Sequence, residues 1–249
     1  MTEWPDGFAL RTLDSVDSTN SEAERLKDAL TCPTWIFARM QTAGRGRRNR
    51  SWRSLQGNLF ATLAMKVGDS PGQIALRSFV SALALRDASV ALSGGLGSFS
   101  IKWPNDLLAG TRKYAGILLE CDSCGDGQFQ ARIGFGVNVA AAPGDIAAPG
   151  GSGGATSFLE ATGIRVRPEA FLQELASAYA GRELQFREAG FESIRLDWLS
   201  HAAKLGETVG VTLPSESFRG IFRSIDRAGR AIVDAAHGRR LVAAADMYF

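Results

Sequence analysis

Cysteine and histidine are scarce in this sequence, which limits the metal and redox chemistry that it supports. Its 249 residues include three cysteines, Cys32, Cys121 and Cys124, and two histidines, His201 and His237. Three cysteines cannot all pair, so a fully paired disulfide scaffold is excluded. Cys121 and Cys124 form one CxxC, but there is no second pair and both histidines lie far along the chain. We therefore interpret CDSCGDG as a hairpin loop between two strands rather than a zinc or redox site.

Long apolar runs and a large excess of one charge are also missing. No stretch has the length and hydropathy of a membrane span, and the start, MTEWPDGF, lacks the layout of a signal peptide. Lysine and arginine number 28 against 26 acidic residues, a net charge of +2, which argues against a general polyanion binder. Hydrophobic residues make up 45% of the chain, an ordinary globular balance, and its length allows one large domain and a small appendage. Because the sequence shows neither a membrane span nor a signal peptide, we expect a cytoplasmic protein.

One stretch concentrates positive charge on this near-neutral background. It runs from Gln41 to Ser54, QTAGRGRRNRSWRS, and residues 44–54 of it are called the arginine loop below. The loop holds Arg45, Arg47, Arg48, Arg50 and Arg53 around Gly44, Gly46 and Trp52. Guanidinium groups bind carboxylate or phosphate oxygens, glycine lets a ligand approach the backbone, and tryptophan stacks on flat rings. The loop therefore predicts a ligand with an anionic part and a planar part, although such a run alone is equally typical of a solvated loop or a nucleic-acid contact.

The segment before this loop predicts a strand and then a helix with a polar start. RTLDSVD alternates as a strand, and Thr19 and Glu22 stand at capping-box spacing ahead of an apolar helical face. Ser18 to Asn20 are interpreted as an ordinary helix N-cap. Presentation of hydroxyls and free N–H groups to a polar ligand is a compatible alternative.

The middle of the chain predicts a sheet around one long helix. Strands are predicted over 34–40, 57–67, 101–103, 112–120 and 128–140, and a helix over 73–92. Asn105 and Asp106, after a strand-ending proline, are predicted to lie in a turn. That turn would bring together Lys102, Asp106 and Lys113. Taken singly, each lysine is more typical of a solvated side chain and Asp106 of a simple turn former.

The last third of the chain predicts a change of architecture. An Ala/Gly/Pro-rich segment over 140–155 predicts a surface loop, either a plain insertion or a lid, and helices follow it. From about Leu205, four or five short strands with tight turns predict a small barrel. The predicted domains are therefore residues 1–204 and 205–249.

In this order, the segments resemble the biotin–protein ligases. The matching blocks are DSTN at 17–20, QTAGRGRRNRSW at 41–52, KWPNDLL at 102–108, RKYAGILLE at 112–120 and GFGVNV at 134–139. The resemblance implies an α+β fold: a mixed, mainly antiparallel sheet with helices, similar to class II synthetases, followed by an SH3-like β-barrel. It also implies a monofunctional enzyme, because the first strand begins too near Met1 to leave room for the DNA-binding domain of bifunctional members.

The family's reaction has two steps and needs no covalent link to the enzyme. Biotin and ATP give biotinyl-5′-adenylate and pyrophosphate. A lysine of the biotin carboxyl carrier protein of acetyl-CoA carboxylase then displaces AMP. The expected small molecules are thus biotin, ATP and Mg²⁺, the last entering with the nucleotide and having few protein ligands.

The resemblance implies a role for each matching residue. The expected catalytic residues are Lys113, Arg47 and Asp106, the last helping to place Mg²⁺ or to orient the incoming amine. The expected biotin contacts are Ser18, Thr19, Asn20, Gln41, Gly44, Arg45, Gly46, Arg47, Lys113 and Gly116. The expected ATP or adenylate contacts are Arg45, Arg47, Arg48, Arg50, Trp52, Lys102, Asn105 and Asn138, with Trp52 stacking on adenine.

Two departures accompany the resemblance. Asn49 stands where the family usually has glycine, and the final strand AAADMYF matches only loosely. Because asparagine tolerates left-handed backbone well, we expect the arginine loop to keep its fold. We also expect the loop to become ordered when the adenylate supplies anions to it.

Two other functions stay open on the sequence alone. A lipoate–protein ligase has a related fold and chemistry, although GRGRR and KWPND favour biotin. A nucleic-acid-binding regulator would use the arginine loop and the small barrel, but near-neutral charge and the missing winged helix argue against it. A homodimer formed through a sheet edge is a further expectation, and neither DNA nor membrane binding is expected.

Overall fold

A seven-stranded sheet forms the larger part of the molecule. The computed structural model describes residues 3–144, 154–243 and 245–249. The strands of this sheet are β1 (Ala9–Val16), β2 (Thr34–Gln41), β3 (Leu59–Val67), β4 (Phe99–Lys102), β5 (Asp106–Ala109), β6 (Arg112–Gly125) and β7 (Gln128–Val137). Their order is β1-β2-β3-β7-β6-β5-β4, with β1 and β2 parallel and every other neighbouring pair antiparallel. The predicted mixed, mainly antiparallel sheet is confirmed.

Two long helices cover one face of this sheet. The helices are α1 (Thr19–Arg25), α2 (Pro71–Ser93), α3 (Phe158–Thr162) and α4 (Pro168–Ser200). α2 packs along α4 and over β6, and together they bury alternate residues of β7 such as Ile133 and Phe135. α2 begins two residues before the predicted start because the Ser70 and Gln73 side chains form a capping box around Pro71. None of the described helices is long and apolar enough to cross a membrane.

The opposite face of the sheet carries the polar residues and glycines. Because successive strand residues point to opposite faces, the residues that alternate with the apolar core of β7 are Gly134 and Gly136. A Cβ on Gly134 would overlap the Asn20 side chain, and one on Gly136 would lie 2.5 Å from the Trp52 ring. These two positions require glycine because neighbouring side chains lie directly on the backbone.

The start of α1 differs from the predicted capping box. Ser18 is the N-cap, and its side chain makes no capping hydrogen bond to the helix. Glu22, the expected reciprocal cap, forms ion pairs with Arg25 and Arg11 instead. The Thr19 N–H donates to Gln41 Oε1 at 2.9 Å, so β2 supplies the acceptor that a capping side chain would have given.

Two turns were misplaced by the sequence patterns. Asp106 is the first residue of β5, a strand that was not predicted, and it pairs with Lys102 across a turn at 103–105. CDSC is not a loop, because β6 continues through both cysteines to Gly125. The hairpin turn consists of Asp126 and Gly127, both with positive φ, as a two-residue turn between twisted strands requires.

A second sheet follows α4. Its strands are β8 (Thr208–Thr212), β9 (Ser217–Ile225), β10 (Ala231–Ala235), β11 (Gly238–Val242) and β12 (Asp246–Tyr248). The order is β11-β10-β9-β8-β12 and all neighbours are antiparallel, which is consistent with the predicted SH3-like domain. The buried Trp103 Nε1–H donates to Gly229 O at 3.0 Å, so this sheet lies directly against the β4–β5 turn. Residues 145–153 of the predicted 140–155 loop lie outside the described residues.

Candidate active site

A cavity of about 360 Å³ opens on the glycine-bearing face of the seven-stranded sheet. The predicted residues that line it are Ser18, Thr19, Asn20, Gln41, Arg45, Gly46, Arg47, Arg50, Trp52, Lys102, Asn105, Asp106, Lys113, Gly116 and Asn138. Gly44 and Arg48 are not part of the lining. The structure therefore brings residues from five separate sequence blocks to one place.

One end of the cavity is a buried polar cluster, which we call the polar floor: Ser18, Thr19, Asn20, Gln41 and Thr62. Ser18, Thr19 and Asn20 are each less than 5% exposed. Thr62 Oγ1 lies 2.8 Å from Thr19 Oγ1 and 2.6 Å from Asn20 Oδ1. Because Thr19, Asn20, Gln41 and Thr62 hydrogen-bond one another, their positions are fixed without a ligand. Thr62 carries no motif signal, and only the pairing of β3 beside β2 brings it here.

Glu120 joins the polar floor to the arginine loop. Its Oε2 accepts from Asn20 Nδ2 at 2.9 Å and from Arg45 Nη2 at 2.8 Å. Arg45, the expected partner of a ligand carboxylate, thus already has a carboxylate partner in the protein. Glu120 is the last residue of the RKYAGILLE block, and the sequence alone gave no reason to place it in the site.

The backbone of the arginine loop forms a closed ribbon. Gly46 N donates to Arg50 O at 2.7 Å and Trp52 N donates to Gly44 O at 2.8 Å. A Cβ on Gly44 would lie 2.6 Å from Trp52 O, so the two strands of the ribbon can approach each other here only because this residue is glycine. The tip is a short 3-10 turn in which Arg48 has left-handed backbone, φ 56, at a cost of ~1 kcal/mol or more. The Asn49 side chain lies outside the described part of the chain.

Arg47 is the loop cation that reaches deepest towards the sheet. Its Nη1 donates to Asn105 Oδ1 at 3.1 Å, and the Asn105 amide in turn donates to Ile117 O. Burial lowers the pKa of Arg47, while Asp106 and Asp246 raise it. A guanidinium remains charged at neutral pH even so, which makes Arg47 a fixed cation in the cavity.

Two lysines line the cavity, Lys102 at the end of β4 and Lys113 near the start of β6. Lys113 Nζ lies 2.5 Å from Asp106 Oδ1 and 5.6 Å from the centre of the Trp52 ring. Lys102 is 8% exposed and its Nζ lies 5.1 Å from the centre of the Phe249 ring. Burial lowers the pKa of Lys102, and the Asp106 carboxylate partly offsets this. The Asp106 carboxylate therefore acts on both cations, directly on Lys113 and through space on Lys102.

The Trp52 ring lies against the sheet. It contacts Gly136, and Gly116 lies beneath its edge, where a Cβ would come within 3.3 Å. Its buried Nε1–H has no hydrogen-bond partner within the described residues. The predicted stacking of Trp52 on adenine stays a prediction.

Asn138 has a structural part in the site. Its Nδ2 donates to Thr156 O at 3.1 Å, and its backbone N–H donates to Tyr114 O at 2.8 Å. The buried side chain thus fixes the chain after β7 against the segment that precedes α3. Its predicted contact with nucleotide stays a prediction.

The sequence patterns missed Asp246, which reaches the cavity from the C-terminal sheet. Its Oδ2 accepts from Arg48 Nη1 at 2.9 Å and from Arg50 Nη2 at 2.5 Å. Ala245 and Met247 beside it also line the cavity. Asp246 lies almost 200 residues from the loop in the chain, and no local pattern links them.

The described residues contain no group of three or more His, Cys, Asp or Glu side chains arranged to hold a metal ion. Cys121 and Cys124 are free thiols on one strand. The prediction that the CxxC is not a metal site stays a prediction.

Comparison with known proteins shows the family to which this chain belongs. A model of the biotin/lipoate A/B protein ligase family matches residues 12–138, which contain the arginine loop, both lysines and the polar floor. The chain belongs to this family. A model of the biotin protein ligase C-terminal domain matches residues 204–249, the part that carries Asp246.

Relatives of this ligase family are similar along nearly the whole chain. A biotin–[acetyl-CoA-carboxylase] ligase of Paracoccus denitrificans is 41% identical over 237 residues, covering 95% of this chain and 99% of the relative. The bifunctional ligase/repressor BirA of Bacillus subtilis is 29% identical, covering 94% of this chain and 72% of the relative. The structure of a biotin protein ligase from Aquifex aeolicus in complex with biotin and ATP has a TM-score of 0.80 at 26% identity, covering 96% and 97%.

Proposed function

We propose that this chain is an ATP-dependent biotin–protein ligase that joins biotin to a lysine of the biotin carboxyl carrier protein of acetyl-CoA carboxylase. The observation that supports this proposal is that one cavity combines the hydrogen-bonded polar floor with the cations Arg47, Lys102 and Lys113. The floor suits an uncharged polar ring, and the cations suit a carboxylate and a polyphosphate. The name of the Paracoccus denitrificans relative and the biotin and ATP bound in the Aquifex aeolicus structure support the assignment.

In the first step, a biotin carboxylate oxygen attacks the α-phosphorus of ATP, the bond to the bridging oxygen breaks, and pyrophosphate leaves. Two anions must approach each other, so the barrier falls when fixed cations offset their repulsion and the charge of the transition state. Arg45 and Arg47 neutralise the carboxylate and the α-phosphate, and Lys113 reaches the same oxygens. The Asp106 carboxylate 2.5 Å from Lys113 Nζ holds that ammonium at the edge of β6.

The binding of biotin follows from the position of the polar floor. Ser18, Thr19, Asn20 and Gln41 contact the ureido ring, and Gly116 lets the tail lie against the sheet. Since the floor is fixed before biotin arrives, little conformational entropy is lost on binding. Gly44 acts through the closure of the loop and not through a ligand contact.

The nucleotide binds under the arginine loop and beside β4. Arg48, Arg50 and Lys102 face the phosphates, Trp52 stacks on adenine, and Asn105 and Asn138 lie at its polar edges. Ordering of residues 44–54 on adenylate binding belongs to this proposal. Closure of the loop would keep water from the mixed anhydride.

In the second step, the neutral amine of the acceptor lysine attacks the acyl carbon of the adenylate. The bond to the phosphate oxygen breaks, AMP leaves, and the amine nitrogen loses a proton. Asp106 is the first residue of β5 and lines the cavity, where it orients the incoming amine.

Magnesium belongs to the nucleotide in this proposal. Asp106 is already paired with Lys113, and the described residues hold no cluster of three or more potential metal ligands around it, so we assign no protein-built Mg²⁺ site to it. A Mg²⁺ ion that arrives on the phosphates of ATP keeps most of its ligands from phosphate and water.

The remaining expectations are part of the same proposal. A division into domains 1–204 and 205–249 is supported by the match of the C-terminal model from residue 204 and by the start of the second sheet at Thr208. Cytoplasmic location, absence of DNA binding and a homodimer built on a sheet edge stay predictions. A shift assay on random duplex DNA and light scattering test the last two.

The test is ATP–pyrophosphate exchange that depends on the added acid. We expect exchange with biotin and none with lipoate, because exchange reports the first step without needing an acceptor protein. Exchange with lipoate alone would place the chain with the lipoate ligases, which share the family model. Exchange with neither acid, in protein that melts cooperatively, would contradict an acid-activating function.

A further inference from the structure

Asp246 is the one described carboxylate that bonds to the tip of the arginine loop. Both Arg48 and Arg50 donate to the same oxygen, Oδ2, at 2.9 Å and 2.5 Å. The loop carries five arginines, which repel one another, so a carboxylate shared by two of them reduces the repulsion where the chain turns. One carboxylate for two guanidiniums still leaves a net positive charge for an anionic ligand.

The backbone that carries the Asp246 carboxylate is held in the C-terminal sheet. Asp246 begins β12 and pairs with Thr212 of β8. Its neighbours Ala245 and Met247 are 0% and 3% exposed, so the backbone on both sides of it is packed into the C-terminal sheet. The guanidiniums are less firmly held, because Arg48 and Arg50 are 37% and 49% exposed and extend from a glycine-containing ribbon.

The other contacts of the loop lie nearer its base or beneath it. Arg45 pairs with Glu120 on β6, and Arg47 with Asn105 in the turn between β4 and β5. Asp246 alone among these partners belongs to the C-terminal sheet. The geometry therefore joins the loop to both sheets, with the cavity between them.

We propose that Asp246 is a positioning residue that holds the tip of the arginine loop against the C-terminal sheet, so that the loop stays closed over the cavity and retains the adenylate. It acts through Arg48 and Arg50 and does not touch the reacting atoms. The retention of adenylate rests on the proposed function, whereas the attachment of the loop does not.

Trypsin tests the attachment without any ligand, because the loop is rich in arginine. The full-length chain is compared with Asp246→Asn, and with Asp234→Asn as the matched control. Asp234 also pairs with two arginines, Arg223 and Arg239, on the same sheet but away from the cavity. Cuts after Arg45, Arg47, Arg48, Arg50 and Arg53 are quantified by mass spectrometry. We expect loop cleavage about twofold to fivefold faster in Asp246→Asn, as for loss of a partly exposed ion pair, and unchanged in Asp234→Asn.

Salt provides a second measurement on the unaltered protein. High salt screens ion pairs, so loop cleavage in the natural sequence should become as fast as in Asp246→Asn. Loop cleavage in Asp246→Asn should change little with salt, once the effect of salt on trypsin is corrected with a reporter peptide. Equal loop cleavage in Asp246→Asn, Asp234→Asn and the natural sequence, with no effect of salt, would overturn the proposal.

Pyrophosphate release without acceptor protein tests the retention of adenylate. When biotin and ATP are present, each escape of the adenylate allows another turnover, so release should rise several-fold in Asp246→Asn and return towards the natural rate in Asp246→Glu. An unchanged or lower rate in Asp246→Asn would contradict a role in retention. If the natural sequence shows no biotin-dependent exchange, the proposed function fails, and the trypsin result still decides the attachment.

Discussion

The two ends of the cavity are held in different ways. The polar floor lies on β2, β3 and the start of α1, and most of its side chains are buried and joined by hydrogen bonds. The arginine loop consists of partly exposed cations held by Glu120 and Asp246. Buried hydrogen bonds are costly to break, whereas a partly exposed ion pair is worth ~1 kcal/mol or less.

This difference suits the two ligands of the proposed reaction. A neutral ring gains most from groups that are already in place, and a polyanion gains from the positive charge that the loop arginines keep beyond their carboxylate partners. The floor therefore provides shape before binding, and the loop provides charge. The variants below test each end and the residue between them.

The largest expected effect is at Lys113, which stands between the two ends. Lys113→Ala removes the cation proposed to face the carboxylate and α-phosphate, so biotin-dependent exchange should fall by about 100-fold or more. Its pair with Asp106 is partly exposed, so thermal unfolding should shift only slightly. Lys66→Ala, an exposed lysine at the far end of β3, serves as the control and should keep full exchange. Exchange at the natural rate in Lys113→Ala would remove this lysine from the mechanism.

A smaller but still large effect is expected when the polar floor is disturbed. In Gly134→Ala the new methyl group overlaps Asn20, which must move and lose its hydrogen bonds to Glu120 and Thr62. The KM for biotin should rise roughly tenfold and stability should fall by ~1–3 kcal/mol, since a buried polar group loses its partners.

The control for the floor is Gly68→Ala. A Cβ there meets no atom within 4 Å and the backbone is not left-handed, so neither the KM for biotin nor the melting temperature should change. A normal KM for biotin in Gly134→Ala would show that the floor does not bind this substrate.

The smallest effect is expected from pH at the phosphate end. Burial lowers the pKa of Lys102, and the charges that act on it are those of Asp106, Lys113, Asp246 and Arg50. Lys102 therefore loses its proton below the ordinary lysine value of about 10.4, and ATP binding should weaken as the pH rises towards that value. In Lys102→Arg the cation persists, so the alkaline rise in the KM for ATP should move to higher pH. Identical alkaline limbs in both proteins would show that Lys102 does not face the nucleotide.

Much of the architecture was predictable because it depends on local pattern. The continuous apolar runs of β2 and β3 and the helical spacing of α2 arise from which residues must be buried, and both are visible in the sequence. The predicted α+β class and the mainly antiparallel sheet followed from these patterns and from the resemblance. β5 was missed because its four residues between a proline turn and a glycine carry too little pattern to distinguish a strand from a loop.

The arginine loop, the lysines and the polar residues before α1 were selected from the sequence by residue type and spacing. Chemistry that depends on a few adjacent side chains leaves such a local signature, and so the family was also determined by the sequence. Thr62, Glu120 and Asp246 left no comparable signature, because each acts through a partner that is distant in the chain. The tertiary structure alone decided that the seven-stranded sheet holds Arg45 of the loop and the C-terminal sheet holds its tip, since ion pairs and hydrogen bonds depend on distance in space and not on separation in sequence.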